Sequence, residues 1–204
     1  VASHASVAFS GENALIKALP IIDGIDKLKD LGKDELLGEG TIEVTNVICK
    51  TPSNNTIPGE VVIYADRRLT CGETKEELLA ELKPILDQVK GAEAVIDIES
   101  FNTWKGYEIN AEDYFPSWIM DDDSHIILAG KSAYENCFNE KCNVGVWPFS
   151  TNATSLCGKY KVPAIGFGPS VEELCHSEKE RISIDDYLTS SKFYGILACE
   201  IGNK

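Results

Sequence analysis

The sequence predicts a mixed α+β and α/β fold, with a split βαβ, ferredoxin-like unit first and α/β layers after it. Two observations carry this. Up to Ser100, hydrophobic periodicity switches between helical spacing and the period of two of a half-buried strand, in the order strand stub, helix, strand, strand, helix, strand. Beyond an aromatic-rich stretch, FNTWKGYEINAEDYFPSW, the composition changes and helix-like and strand-like runs alternate again, which implies layers of both.

VASHAS reads as the tail of a first strand that the chain otherwise lacks. Residues 10–31 read as a helix, with Ser10 as its cap and Ala14, Leu15, Ala18, Leu19, Ile22, Ile25 and Leu28 at helical spacing. Pro20 is expected to bend it. GEGTIEVTNVICK turns to strand, Ile42 and Val44 alternating with Glu43 and Thr45. TPSNNTIPG is dense in turn formers, and EVVIYADRRLT is a second strand. Thr74 and Glu77 have capping-box spacing ahead of a helix that carries Leu78, Leu82, Ile85 and Val89 on one face, with Pro84 as a second bend. AEAVIDIES closes the unit as a strand. FNTWKGYEINAEDYFPSW is then a connector. DDDSHIILAGKSAYENCF is a helix whose acidic start suits the helix dipole. KCNVGVWPF is a short strand, STNATSLCGKY a short helix, VPAIGFGP a buried strand ending in a Gly/Pro loop, and 185–199 a closing helix.

The chain has 204 residues, enough for one large or two small domains with a core. Nineteen Lys and Arg stand against 33 Asp and Glu, a net charge of −14, which repels phosphate backbones and anionic lipid. Neither nucleic acid nor membrane is expected as a partner. No apolar run reaches the ~20 residues of a membrane span. Seven scattered cysteines, an odd number, suggest reduced thiols and a cytoplasmic setting. Cys137, Cys142, Cys157, Cys175 and His176 lack the paired short spacings of a structural zinc site.

His176, in CHSEKE beyond the loop GFGPSVEEL, follows a strand of the α/β half, where ligand sites lie, and imidazole is a common metal ligand. His4 stands at a strand end among small residues. Asn55 in NNTIP and Arg68 in ADRRL supply an amide and a guanidinium, the natural grip on a carboxylate. Gly166-Phe167-Gly168-Pro169 reads as a turn beside a site rather than a phosphate cradle. Each of these residues also has a plain structural reading: a surface histidine, a turn former or a solvated strand end.

In this order, SHAS, SNNTIP, ADRRLTCGETKEELLAEL, FSTNATSLCGKYKVPAIGFGP and ELCHSEKERISIDDYL resemble the M20 family of metal-dependent peptidases and deacylases. DRRLTCGET and EDYFPSW are most similar to a branch linked to selenium metabolism. The resemblance implies a ferredoxin-like lid and dimerisation domain at 1–116 and the C-terminal part of a zinc-peptidase catalytic domain at 117–204. It implies that the intact enzyme uses two zinc ions to cleave an amide bond of a small N-acyl amino acid or peptide. His4 would face the oxyanion as a catalytic residue, and Asn55, Arg68, Asn152 and Gly168 would bind substrate. His176 would be the one metal ligand present, since it alone has a counterpart among the family's ligands and the family's His-x-Asp motif is absent here. Ser150-Thr151-Asn152 departs from the Ser/Thr-Asp-Gly type sequence of some relatives. The chain alone is therefore expected to hold no zinc pair and to be inactive, and a homodimer through the lid is expected. The alternative is a non-catalytic relative that serves as a dimerisation or binding module.

Overall fold

The computed structural model describes residues 1–147 and 149–202. The chain divides into two compact units, Val1–Ser117 and Trp118–Lys204.

In the first unit, strand β1 is two residues long, Ser3–His4, and leads into a 3-10 segment, Ala5–Ser10. Helix α1 runs Ala14–Asp26. Its cap is Asn13, not Ser10: the Asn13 side chain accepts from the backbone N–H of Leu15 (3.0 Å) and Ile16 (3.4 Å). The Ser10 hydroxyl instead donates to the Val7 carbonyl at 2.8 Å. Hence the helix starts later than its periodicity predicts. Two short strands, β2 (Lys33–Asp34) and β3 (Gly38–Glu39), form a small hairpin. Strands β4 (Thr41–Lys50) and β6 (Glu60–Arg68) form the long antiparallel ladder, and between them β5 (Thr56–Ile57) pairs with β1. Helix α2, Lys75–Leu86, opens with the full capping box of Thr74 and Glu77.

The two helices lie on one face of the β4–β6 ladder. Ile21 and Ile25 of α1 meet Ile85 of α2, with Ile42, Val44, Ile63 and Leu82 packed around them. A register shift between Val44 and Asn46 leaves Thr45 without a ladder partner. The bulge moves the inward face of β4 from Ile42 and Val44 to Val47. Both helices continue through their prolines, Pro20 and Pro84.

The strand expected at 92–100 is displaced. Ala94 and Ile96 are half-buried and Val95 and Asp97 exposed, as alternation predicts, but 92–97 joins no ladder. Strand β7 begins at Ile98, runs to Asn102 and pairs with β8, Glu108–Glu112. The aromatic stretch is therefore a hairpin rather than a connector. Its turn closes through Thr103 N–H to the Tyr107 carbonyl and Gly106 N–H to the Thr103 carbonyl, both 2.8 Å, with Gly106 at φ +82°. Local closure across five residues, one of them glycine, wins over pairing with a distant strand.

In the second unit, α3 (His125–Phe138) packs on α4 (Ile184–Gly202). Ala129 and Ala133 of α3 receive Phe193 and Leu197 of α4. A single-turn π-helix spans Thr154–Lys159. The strands expected at 141–149 and 162–169 do not form among the described residues; Pro148, in the first of them, lies outside these. Ile165 and Phe167 are anchored on the helices instead. A strand's backbone bonds require a neighbouring strand, and none stands beside these segments among the described residues. No helix of the described residues is long and apolar enough to cross a membrane.

Candidate functional site

The first unit brings His4 and Asn55 together. The β1–β5 ladder pairs His4 with Thr56 and Ser3 with Ile57, and the Ala5 N–H donates to the Asn55 carbonyl at 2.8 Å. This pairing sets the imidazole beside the Asn55 amide, with His4 Nε2 3.1 Å from Asn55 Nδ2. On the other side of the ring, Ser6 meets Nδ1 twice, through its backbone N–H at 3.2 Å and its hydroxyl at 2.7 Å. Behind Asn55, Ser53 Oγ lies 2.5 Å from Asn55 Oδ1 and 2.9 Å from Thr56 Oγ1. His4, Ser6, Ser53 and Asn55 are all solvent-exposed.

Arg68 is placed elsewhere. It ends β6 opposite Thr41, whereas β6 starts at Glu60, three residues beyond the last residue of β5. Along a strand rising ~3.3 Å per residue, Arg68 lies roughly 26 Å from Glu60. Its guanidinium is exposed and pairs with Asp66 through Nε at 2.8 Å. Its neighbour Arg67 is half-buried, its side chain 9% exposed: it donates to the Leu31 carbonyl at 2.7 Å and to Glu81 at 3.1 and 3.2 Å, and it also bonds Glu73 and the Arg68 carbonyl. Glu73 in turn accepts from the Thr70 hydroxyl at 2.8 Å.

In the second unit, Phe167 fixes the Gly/Pro loop. Its ring lies 4.1 Å from that of Phe193, and its carbonyl accepts from the Tyr194 hydroxyl. Gly166 lets the chain pass Trp147, whose ring would lie 2.1 Å from a Cβ there. Gly168 follows with open space around it and lines a shallow recess of about 270 Å³ with Phe138, Pro169, Asp186 and Thr189. Asn152 is exposed, and its carbonyl accepts from the Ser155 N–H at 3.2 Å. His176 is exposed and held in the left-handed region, φ 59°, its N–H donating to Glu180 Oε2 at 2.9 Å. Neither Asn152 nor His176 lines the recess.

Among the described residues, no three His, Cys, Asp or Glu side chains are grouped so as to hold a metal ion. A catalytic zinc takes about three protein ligands, so the described residues do not by themselves fit one. The cysteines are all free thiols, and burial pushes Cys157 above the usual thiol range, so it is no activated nucleophile.

Ser6, Ser53 and Arg67 are the residues near these positions that sequence reasoning missed. A serine two places from a histidine or an asparagine is a spacing for local side-chain bonds, and it was the one available signal for the two serines. Nothing local separates Arg67 from Arg68.

Residues 1–94 match the family model described as a peptidase dimerisation domain. Over 200 residues the chain is 34% identical to the uncharacterized protein YgeY of Escherichia coli K12, covering 97% of this chain and 49% of that one. The chain thus spans about half the length of the curated relatives it matches. In fold it is similar to the aminopeptidase PepT of Bacillus cereus, with a TM-score of 0.61 at 18% identity, over 99% of this chain and 49% of that one. It is likewise similar to an M20 family metallo-carboxypeptidase of Sulfolobus solfataricus, with a TM-score of 0.58 at 16% identity, over 98% and 55%.

Proposed function

We propose that this chain belongs to the M20 peptidase family, whose dimerisation-domain model its residues 1–94 match, and that it forms the dimerisation lid (1–116) and the C-terminal catalytic segment (117–204) of a metal-dependent hydrolase. The substrate is a small N-acyl amino acid or peptide, and the bond cleaved is its amide. The carrying observation is the meeting of His4 and Asn55 at 3.1 Å, two polar residues 51 apart in sequence, both open to solvent.

In this reading the His4 ring donates to the oxyanion that develops on the scissile carbonyl, and Asn55 binds substrate beside it. Such donors act where charge appears, which is why they raise rate rather than ground-state affinity. Arg68 offers a planar, bidentate grip for a substrate carboxylate once Asp66 is displaced. Asn152 and Gly168 bind substrate in the second unit; the bare glycine permits close approach of a ligand. His176 supplies one imidazole to zinc, and its left-handed backbone is the kind of strain that collects at functional sites. The rest of the ligand set lies outside this chain's residues, so the steps assigned to the chain are binding and charge stabilisation. It works as a homodimer through residues 1–116, in the cytoplasm, where its thiols stay free.

The test is hydrolysis of N-acyl amino acids and dipeptides by the polypeptide of the complete reading frame. His4→Ala is expected to cost ~2.7–4 kcal/mol of barrier, roughly 100- to 1000-fold in kcat, with metal content unchanged. His176→Ala is expected to lower metal content as well. Full activity in His4→Ala removes the oxyanion role, and full metal in His176→Ala removes the ligand role.

The second reading is a non-catalytic dimerisation or binding module. The match of residues 1–94 to a peptidase dimerisation domain supports it. A reading frame without His-x-Asp and Glu-Glu motifs ahead of Val1 decides for the module.

A further inference from the structure

We infer that Ser6 is a positioning residue that fixes the tautomer of His4, holding Nδ1 bare and the ring hydrogen on Nε2, the nitrogen that faces Asn55. The role given to that hydrogen in catalysis rests on the proposed function; the tautomer does not.

The inference follows from counting hydrogens. A neutral imidazole has one N–H and one acceptor nitrogen. The Ser6 backbone N–H has no freedom to reverse: it is a donor, and it points at Nδ1 from 3.2 Å. A hydrogen on Nδ1 would face it head-on. Nδ1 is therefore the acceptor, the Ser6 hydroxyl at 2.7 Å donates to it as well, and the ring hydrogen sits on Nε2.

That hydrogen meets Asn55, whose amide is placed with Nδ2 toward Nε2 at 3.1 Å. Two N–H groups cannot face each other. Amide oxygen and nitrogen exchange places by a half-turn, and the neighbours choose the orientation. Turned over, Asn55 Oδ1 accepts from Nε2–H, and Nδ2 takes the place of Oδ1 beside Ser53, donating to the Ser53 hydroxyl oxygen that in the other orientation donates to Oδ1. Ser53 can then donate to Thr56 Oγ1, 2.9 Å away. Every contact in the row, from Ser6 through His4, Asn55 and Ser53 to Thr56, then has a donor facing an acceptor. Thr56 is also the ladder partner of His4, so the row closes on the strand pair that carries it.

The consequence is that the ring is set before substrate arrives. A donor whose hydrogen is already on the outward nitrogen needs no proton shift as charge develops. Asn55 holds that hydrogen at rest and has to give it up to an incoming oxygen.

Long-range proton–nitrogen correlation spectra of the ¹⁵N-labelled chain, at alkaline pH where imidazoles are neutral, read the tautomer directly. His4→Gln identifies the His4 signals. The wild-type chain is expected to show His4 Nδ1 without hydrogen and Nε2 with it. Ser6→Ala removes the hydroxyl but keeps the backbone N–H, so the tautomer ratio is expected to move roughly 2- to 10-fold toward Nδ1–H. Ser6→Thr, which keeps a hydroxyl, is expected to restore it. A hydrogen found on Nδ1 of the wild type, or a ratio that does not move in Ser6→Ala, overturns the assignment. In the full-length enzyme Ser6→Ala is expected to lower kcat by a similar factor, with KM unchanged. If the spectra behave as expected while His4→Ala leaves hydrolysis untouched, Ser6 still orients His4, and the oxyanion role is what fails.

Discussion

Arg67 and Arg68 are neighbours on one strand and face opposite ways. Alternation along β6 sends Arg67 under α2, where Glu73, Glu81 and the Leu31 carbonyl take up its donors, and sends Arg68 to solvent beside Asp66. The two variants should therefore separate. Arg67→Ala leaves two part-buried carboxylates without their cation; breaking such a pair typically costs about 3–5 kcal/mol, and this is expected as a lower denaturation midpoint. Arg68→Ala gives up an exposed pair worth at most about 1 kcal/mol, so its midpoint should hardly move. Equal midpoints for the two variants would show that the Arg67 network contributes nothing. The doublet is visible in ADRRL, but which arginine is buried depends on the register of β6 against β4.

At the scale of elements, α2 was the most legible. Thr74 and Glu77 have the spacing of a capping box and form one, with the Glu77 carboxylate accepting from the Thr74 N–H at 2.8 Å. The Thr74 backbone N–H, and then its hydroxyl, hold the Glu77 carboxyl below its ordinary range. A carboxyl lowered in the fold stabilises at neutral pH, and that contribution fades as pH falls through the carboxylate range. Thr74→Ala is expected to cost about 1 kcal/mol at neutral pH and less in acid, measured by denaturant titration at both. A loss that is the same at both pH values would separate Glu77 from the cap. The β7–β8 hairpin was less legible, because its aromatics, Phe101, Trp104 and Tyr107, are exposed and so carry no inward period. Its only local signal was the five-residue loop with Gly106.

On the scale of the whole molecule, β4 and β6 pair only with each other among the described residues, so each keeps an open edge. An open strand edge is a template for another chain. The net charge of −14 sets a long-range repulsion against this, which salt screens over about 10 Å at 0.1 M. Self-association to a dimer is therefore expected in sedimentation, stronger at physiological salt than at low salt. A monomer at high concentration in both would rule out dimerisation through this domain.

The sequence by itself determined the four helices, the cap of α2, the β4 and β6 runs and, through its motifs, the resemblance to the M20 family. Only the tertiary structure decided that 92–97 joins no ladder, that 98–112 folds on itself, and that 141–147 and 162–169 stay unpaired. It alone put His4 against Asn55, and Arg68 at the far end of β6. The reason is where each element keeps its hydrogen bonds. A helix closes its own, four residues along, so its evidence is local. A strand's bonds belong to its partner, and a site made across strands exists only once that partner is chosen.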